Sequence, residues 1–209
     1  MRPAPASSAA ELAAALAEHD APALVDAGGP FDEAAAAAAV AASERGGVPL
    51  LRLELPGWRP RAGDRLRWVA DLDEASRTFE HERRVLLVAG NRGLDAFAHR
   101  DDSWFLVRCD AEPQSPLPAR HALLRHRGPH TPDAMLALVD EHRLDVVVTR
   151  DSGGADAQAA LDAARERALP AVIVRRPPRP EAPTLTSVDG ALRWARRHAG
   201  VARRAGGSP

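Results

Sequence analysis

The chain contains neither lysine nor tyrosine, so all 28 basic residues among its 209 are arginine. Without lysine, the protein cannot form a Schiff base or use an amine as a tunable general base. Arginine instead provides a permanent charge and a planar fork of donors that suits carboxylates and phosphates. We attribute this composition mainly to a GC-rich coding sequence, and it excludes amine chemistry whatever its cause.

Cysteine is almost absent, since Cys109 is the only one. A single cysteine excludes an internal disulfide framework and is compatible with a reducing cytoplasm, which we predict as the compartment. The histidines at 121, 126 and 130 straddle an expected strand and a turn, so they would not all face one side. No histidine pair has the spacing of a zinc site with partners, and we predict no metal.

Long apolar runs and a large excess of charge are also missing. The longest uncharged apolar run, Ala34 to Ala42, is too short to span a bilayer. The net charge of −1 gives no support for a nucleic acid or a membrane surface as a partner. A hydrophobic content of 45% is ordinary for a soluble globular chain of one domain or two small ones.

The sequence has no G-x-G-x-x-G turn, no Walker motif and no G-x-S-x-G elbow, which weakens the P-loop and hydrolase interpretations. It does alternate short β-branched or leucine-rich runs with helical segments, a pattern typical of a parallel α/β sheet. We therefore predict an α/β fold with two Rossmann-like parallel-sheet domains. Their expected limits are 1–82 and 83–199, and residues 200–209 are expected to form a disordered tail.

The most distinctive stretch is an apolar run, 146–148, that ends in a polar turn with two glycines. A helical stretch over 155–168 follows, so the backbone N–H groups at its start would face an incoming anion. An ordinary βα turn is the alternative interpretation. The residues of this candidate site are Thr149, Arg150, Asp151, Ser152, Gly153 and Gly154.

Three further turns repeat the theme of a strand followed by glycine with Arg or Asp. They contain Asp26, Gly28 and Gly29; Gly90 and Arg92; and Arg127 and Gly128. Ligands of open α/β sheets bind at the carboxyl ends of the strands. If the strands are parallel, we expect these turns to converge on one sheet edge.

Taken in order, the turns resemble motifs of the precorrin-6A reductase family of cobalamin biosynthesis. The resembling segments are 26–31 for an Asp-Ala-Thr-His-Pro-Phe-like turn, 52–58 for Arg-Leu-Glu-Arg-Pro-x-Trp, Gly90 with Leu94 and Phe97, 127–130 for Arg-Gly-Pro-Phe, 149–154 for Thr-Lys-Asn-Ser-Gly-Gly, and 175–177 for Arg-Arg-Pro. The resemblance is collinear over nearly the whole chain, which is more specific than any single motif.

The resemblance implies a two-domain α/β reductase that holds NADPH and its substrate in the cleft between its domains. Such an enzyme passes hydride to one double bond of a corrinoid macrocycle, whose many carboxylates suit bidentate pairing with Arg52, Arg92, Arg127 and Arg150. We expect these arginines to bind the tetrapyrrole substrate or a cofactor phosphate. No residue is assigned as the catalytic acid, and the resemblance leaves open cobalt in the substrate and the oligomeric state.

Several departures from the family pattern support other hypotheses. The family's opening Gly-rich unit is missing, so we expect the first domain to be truncated at its N-terminus. Side chains of the motifs are replaced by Gly28, Gly29, Leu55, His130, Asp151 and Ala160. One alternative is therefore a non-catalytic relative that binds a tetrapyrrole or a partner without reducing it. Another is a different reductase or anion-binding domain that shares only the fold.

Overall fold

The computed structural model describes residues 8–113, 115–125 and 131–205, in which helices alternate with strands. The helices in chain order are α1 (Ala9–Glu18), α2 (Glu33–Gly46), α3 (Leu72–Ser76), α4 (Pro132–Glu141), α5 (Ala155–Glu166) and α6 (Val188–Ala205). The strands in chain order are β1 (Leu24–Asp26), β2 (Leu50–Leu53), β3 (Arg65–Val69), β4 (Arg84–Val88), β5 (Trp104–Cys109), β6 (His121–Arg125), β7 (Val146–Arg150), β8 (Pro170–Val174) and β9 (Thr184–Leu185). The predicted α/β class is confirmed.

The chain divides into two compact units, and unit 1 contains the residues up to Pro56 and from Pro177 onward. Its three strands form a parallel sheet in the order β1-β2-β9. The buried faces of α1 and α2 consist of Leu16 and small alanines, and Leu51 of β2 is 2% exposed. Unit 1 is thus a small parallel sheet with an alanine-rich helical cover.

Unit 2 runs from Gly57 to Arg176 and contains a six-stranded parallel sheet in the order β3-β8-β7-β4-β5-β6. Successive residues of a strand face opposite sides of the sheet. Since every residue from Val85 to Val88 is buried, as is every residue from Val146 to Val148, both faces of the central strands are covered. This arrangement fixes the carboxyl ends of β4 and β7 side by side.

Helix starts follow the capping signals in the sequence. Ser8 Oγ accepts from the Glu11 N–H at 3.2 Å, and Thr131 Oγ1 accepts from the Ala134 N–H at 3.2 Å. Pro132 occupies the first turn of α4, where its missing N–H costs nothing. Local capping residues therefore define where α1 and α4 begin.

The division into units differs from the boundary expected near Glu82. Strand β3 pairs with β8 along its whole length, from Arg65↔Pro170 to Val69↔Val174, so the segment that contains it belongs to unit 2. The chain then returns to unit 1 through β9 and α6. In the chain, unit 2 therefore lies between the two segments of unit 1. The domain limits 1–82 and 83–199 stay a prediction.

Some elements also differ from expectation. The two-residue strand β9 was not expected, because it is too short to show alternation and follows the proline-rich segment 177–183. Helix α6 continues to Ala205 and so includes residues 200–205 of the expected tail, because alanine and arginine favour helix. Of the tail expected over 200–209, residues 206–209 lie outside the described part. No helix among the described residues is both long and apolar enough to cross a membrane.

Candidate functional site

The turns after β4 and β7 lie next to each other at the topological switch point of unit 2. Strands β4 and β7 are neighbours, yet the chain leaves β4 toward β5 on one side and leaves β7 toward β8 on the other. Open α/β sheets bind ligands in the crevice that such a reversal creates. Val88 and Thr149 are register partners, and Thr149 Oγ1 also donates to the Val88 carbonyl at 3.0 Å. The two predicted turns therefore start from aligned strand ends.

Arg150 connects the two turns directly. Its Nη2 donates to the main-chain oxygen of Arg92 at 2.8 Å. Burial, and then the neighbouring Arg92 guanidinium, lower the pKa of Arg150 below the ordinary arginine value. A positive group that is desolvated beside a second positive group is stabilised by an anion. The switch point thus favours a phosphate or a carboxylate.

Gly93 allows this approach of Arg150. Its backbone has a φ of 75°, which glycine adopts readily. A Cβ at this position would lie 3.3 Å from Arg150 Nη2 and 3.1 Å from Leu72 Cδ1. The glycine therefore gives the arginine the space that it needs to reach the turn after β4.

The turn after β7 leads directly into α5. Ser152 N donates to the Arg150 carbonyl at 2.7 Å, and Ser152 Oγ accepts from the Gly154 N–H at 3.2 Å. Gly154 is the N-cap residue of α5, and among the described residues no side chain caps this helix. The first N–H groups of a twelve-residue helix are therefore left for another acceptor.

Asp151 has a different environment from the one expected. Its Oδ1 accepts from the Trp58 N–H at 2.8 Å, and its Oδ2 lies 3.2 Å from Arg176 Nε. The same Arg176 Nε donates to the Asp151 carbonyl at 2.8 Å. Asp151 is 9% exposed. Its carboxylate is therefore used inside unit 2, where Arg176 compensates its charge.

In unit 1, the turn after β1 is built around Asp26 and Arg52. Asp26 Oδ1 accepts from the Gly28 N–H at 3.0 Å, and Asp26 Oδ2 accepts from Arg52 Nε at 3.0 Å. Arg52 Nη1 donates to the Pro180 carbonyl at 2.8 Å. The side chains of Asp26 and Arg52 are each 5% exposed. Arg52 therefore connects β2, to which it belongs, with β1 and with the segment before β9. Its expected contact with a ligand stays a prediction.

A groove of about 480 Å³ lies beside this ion pair in unit 1. Its lining consists of Arg52, Arg179, Pro180, Glu181, Ala182, Pro183 and Thr184. Arg179 forms an ion pair with Glu54 and donates to the Gly29 carbonyl at 3.4 Å. The second glycine of the turn after β1 is thus held by its carbonyl oxygen.

The predicted site residues do not all converge on one sheet edge. Asp26, Gly28, Gly29 and Arg52 belong to the sheet of unit 1, whereas Gly90, Arg92 and Thr149 to Gly154 belong to that of unit 2. The expectation of parallel strands was not enough to show that these turns follow strands of two different sheets. Arg127 and Gly128 lie outside the described residues.

Two polar residues near the switch point were not singled out from the sequence. Asn91 Oδ1 is buried and has no partner within the described ranges, so it is an acceptor next to Arg92. Arg108 is 6% exposed and pairs with Asp156 in the first turn of α5. The sequence signal that could have identified Arg108 is its position as a charged residue inside the apolar run of β5. Within the described ranges no cluster of three or more His, Cys, Asp or Glu side chains could hold a metal ion.

Comparison with known proteins gives a consistent family. The family model described as "Precorrin-6x reductase CbiJ/CobK" matches residues 2–196. The precorrin-6A reductase of Rhodococcus erythropolis is 40% identical over 185 residues, which cover 88% of this chain and 75% of that protein. The precorrin-6A reductase of Mycobacterium tuberculosis is 37% identical over 175 residues, which cover 82% and 70%.

The fold is similar to a solved structure as well. A structure of "CobK precorrin-6A reductase" superimposes with a TM-score of 0.86 at 32% identity, and the match covers 91% of this chain and 77% of that one. The matched length, the identity and the fold agree with the collinear motifs. The chain therefore belongs to the precorrin-6x reductase family, a family of oxidoreductase enzymes of cobalamin biosynthesis.

Proposed function

We propose that this chain catalyses the NADPH-dependent reduction of one double bond in a corrinoid macrocycle, which converts precorrin-6A or its cobalt form to the 6B product. The family membership supports the reaction class, and relatives are named both precorrin-6A reductase and cobalt-precorrin-6A reductase. The observation that carries the proposal is the cationic switch point of unit 2, where Arg150 contacts the Arg92 carbonyl and the turn after Arg150 leads into α5.

Arg150, Arg92 and the first N–H groups of α5 fit an anionic group of either ligand. A cofactor phosphate would accept hydrogen bonds from the α5 amides, and a substrate carboxylate would pair with a guanidinium fork. Burial of Arg150 strengthens either contact, because charges in a partly desolvated site are screened less by water. Both ligands carry several negative charges, which matches this part of unit 2.

NADPH, when bound, supplies the hydride, and a proton completes the addition across the double bond. The residues described here would bind and orient the two ligands. In unit 1, the Asp26–Arg52 pair keeps the Gly28–Gly29 turn in place at a strand end. In unit 2, the Arg150–Arg92 contact keeps two cations at the switch point.

The direct test is titration of the purified chain with NADPH, followed by a single-turnover reaction with precorrin-6A. We expect NADPH binding on the order of micromolar, as is usual for enzyme ligands, and loss of NADPH absorbance only when the corrinoid is present. NADH serves as the matched control, since it lacks the 2′-phosphate. Two competitors of NADPH binding separate a cofactor site from a substrate site. They are inorganic phosphate and a polycarboxylate corrinoid that cannot be reduced.

The non-catalytic alternative predicts a different pattern. In that case the corrinoid binds and quenches tryptophan fluorescence, yet NADPH is not consumed. Oxidation of one NADPH per reduced corrinoid eliminates this alternative. If neither NADPH nor the corrinoid binds the wild-type chain, the proposed function is wrong.

A further inference from the structure

We infer that Asp151 is a positioning residue that holds the turn after β7 in its ligand-ready conformation by anchoring the Gly57–Trp58 backbone and Arg176 against it. The inference rests on the proposed function, because the turn that Asp151 holds is the proposed anion site. Asp151 itself acts on Arg150 and on the start of α5 through the backbone, without touching the ligand.

The two carboxylate oxygens of Asp151 have separate partners. Oδ1 accepts from the Trp58 N–H at 2.8 Å, which is a charge-assisted bond to backbone. Oδ2 lies 3.2 Å from Arg176 Nε, which follows β8. Asp151 N also donates to the Val174 carbonyl at 3.0 Å. One side chain and its backbone therefore connect the end of β7 with the end of β8 and with the segment before β3.

Gly57 shows how closely this segment packs on the carboxylate. A Cβ at Gly57 would lie 2.8 Å from Asp151 Oδ2, a distance that real Cβ atoms do not reach without movement, and 3.1 Å from Oδ1, which is also tight. The Trp58 N–H binds one oxygen of this carboxylate and Arg176 lies against the other, so the carboxylate cannot simply rotate away. The close approach therefore requires glycine at 57 as long as position 151 carries a carboxyl or amide group.

The segment 57–64 is anchored a second time at its other end. Asp64 Oδ1 accepts from Arg165 Nε at 2.6 Å, and Arg165 Nη1 also donates to Asp162 at 2.6 Å. Both Asp162 and Arg165 belong to the later part of α5. Asp151 thus anchors the segment 57–64 near the start of α5, and Asp64 anchors it near the end of α5. Only the first anchor touches the proposed anion site.

This pair of anchors provides a matched comparison. Asp151→Ala and Asp64→Ala each remove one largely buried carboxylate that fastens the same segment, and both are expected to lower the melting temperature. Only Asp151→Ala is expected to loosen the turn, because Asp64 lies at the far end of α5. Asp151→Asn is the conservative variant, since its amide oxygen still accepts from the Trp58 N–H.

The first readout is amide hydrogen exchange over residues 152–157 in the protein without ligand. We expect faster exchange there in Asp151→Ala, wild-type exchange in Asp64→Ala, and rescue in Asp151→Asn. The second readout is NADPH affinity, for which we expect a loss on the order of tenfold or more in Asp151→Ala and a small change in the other two. Equal exchange or equal affinity in Asp151→Ala and the wild type would overturn the inference.

A double-mutant cycle tests the contact with Gly57 separately. Gly57→Ala should accelerate exchange of the turn in the wild-type background, where its Cβ meets the carboxylate. In the Asp151→Ala background the same substitution should have much less effect, because the group that it meets is gone. Additive effects would show that the two residues do not act together and would overturn the inference.

Failure of the proposed function and failure of the Asp151 inference can be told apart by separate measurements. If the wild-type chain binds neither NADPH nor the corrinoid, the proposed function is wrong whatever Asp151 does. The exchange pattern and the Gly57 cycle need no ligand, so they still support or overturn the positioning of the turn by Asp151.

Discussion

Arg150 donates a hydrogen bond from Nη2 to the main-chain oxygen of Arg92 at 2.8 Å, and this contact joins the two turns at the switch point of unit 2. The same contact keeps the Arg150 guanidinium close to that of Arg92. The pKa of Arg150 is accordingly lowered, first by burial and then by the Arg92 guanidinium. An anion at this position would relieve both effects, which makes Arg150 the first residue to test.

Arg150→Met is expected to weaken binding of the anionic ligand by about 10- to 100-fold, the usual effect of losing a hydrogen bond to a charged group, about 1.5–3 kcal/mol. The methionine retains much of the apolar stem and removes the charge. Titration with NADPH and with the corrinoid shows which of the two ligands uses Arg150. Arg67→Met, which removes an exposed arginine of β3 in the same unit, is the control and should leave both affinities unchanged. Unchanged affinity for both ligands in Arg150→Met would contradict the assignment.

Two glycines of the turn after β4 form a natural pair of controls. Gly93 and Gly90 have nearly the same φ, 75° and 76°, so alanine at either position has the same backbone penalty of about 1 kcal/mol. At Gly90 a Cβ meets nothing within 4 Å, whereas at Gly93 it meets Leu72 and Arg150. Gly93→Ala should therefore destabilise the protein more than Gly90→Ala and should also weaken ligand binding. Urea unfolding and NADPH titration check this, and equal effects of the two variants would contradict it.

The central strands and their turns could be predicted because their signals are local. The apolar runs of β4 and β7 end at glycine-bearing turns, and capping side chains such as Thr131 define helix starts within a few residues. Strand pairing is a different kind of information. Strand β3 pairs with β8, which lies about a hundred residues later in the chain. No local pattern in residues 65–69 shows whether this strand belongs to the sheet of unit 1 or to that of unit 2.

The candidate site shows the same division between local and distant signals. Arg150 and the start of α5 were predicted, since strand, turn and helix are contiguous there. The role of Asp151 depends on Trp58, 93 residues earlier in the chain, so the sequence could not reveal its partner. Arg52 was expected to bind a ligand, but a charge at a strand end can equally pair with an acid on the neighbouring strand, as Asp26 does.

The pH dependence of unit 2 should depend on Asp102. The Arg100 guanidinium, which donates to Asp102 Oδ1 at 2.8 Å, lowers the pKa of this carboxyl to about 2 in the folded protein. The unfolded value is about 3.9, so folding favours the ionised form. The resulting stability is fully present above about pH 4 and is lost as the pH falls toward about 2.

Asp102→Asn should therefore remove part of the acid sensitivity. The difference in free energy of unfolding between wild type and Asp102→Asn, measured in urea, should shrink as the pH falls through this range. His81→Ala should shift the profile in the same direction but by less, because the His81 side chain is 88% exposed and lowers the pKa of Asp102 less than Arg100 does. Parallel profiles for wild type and Asp102→Asn would refute the role of Asp102.

The buried ion pair of unit 1 makes the last prediction. Removing Asp26 leaves the Arg52 guanidinium buried with the Pro180 carbonyl as its partner within the described ranges, and the loss of one member of a buried pair typically costs about 3–5 kcal/mol. Asp26→Leu should therefore destabilise strongly, whereas Asp26→Leu combined with Arg52→Met removes both charges and should restore much of the stability. Thermal unfolding of the two variants decides this. If the double variant is less stable than Asp26→Leu alone, the buried charge is not the cause, and Arg52 stabilises unit 1 chiefly through its bonds to Pro180 and its packing.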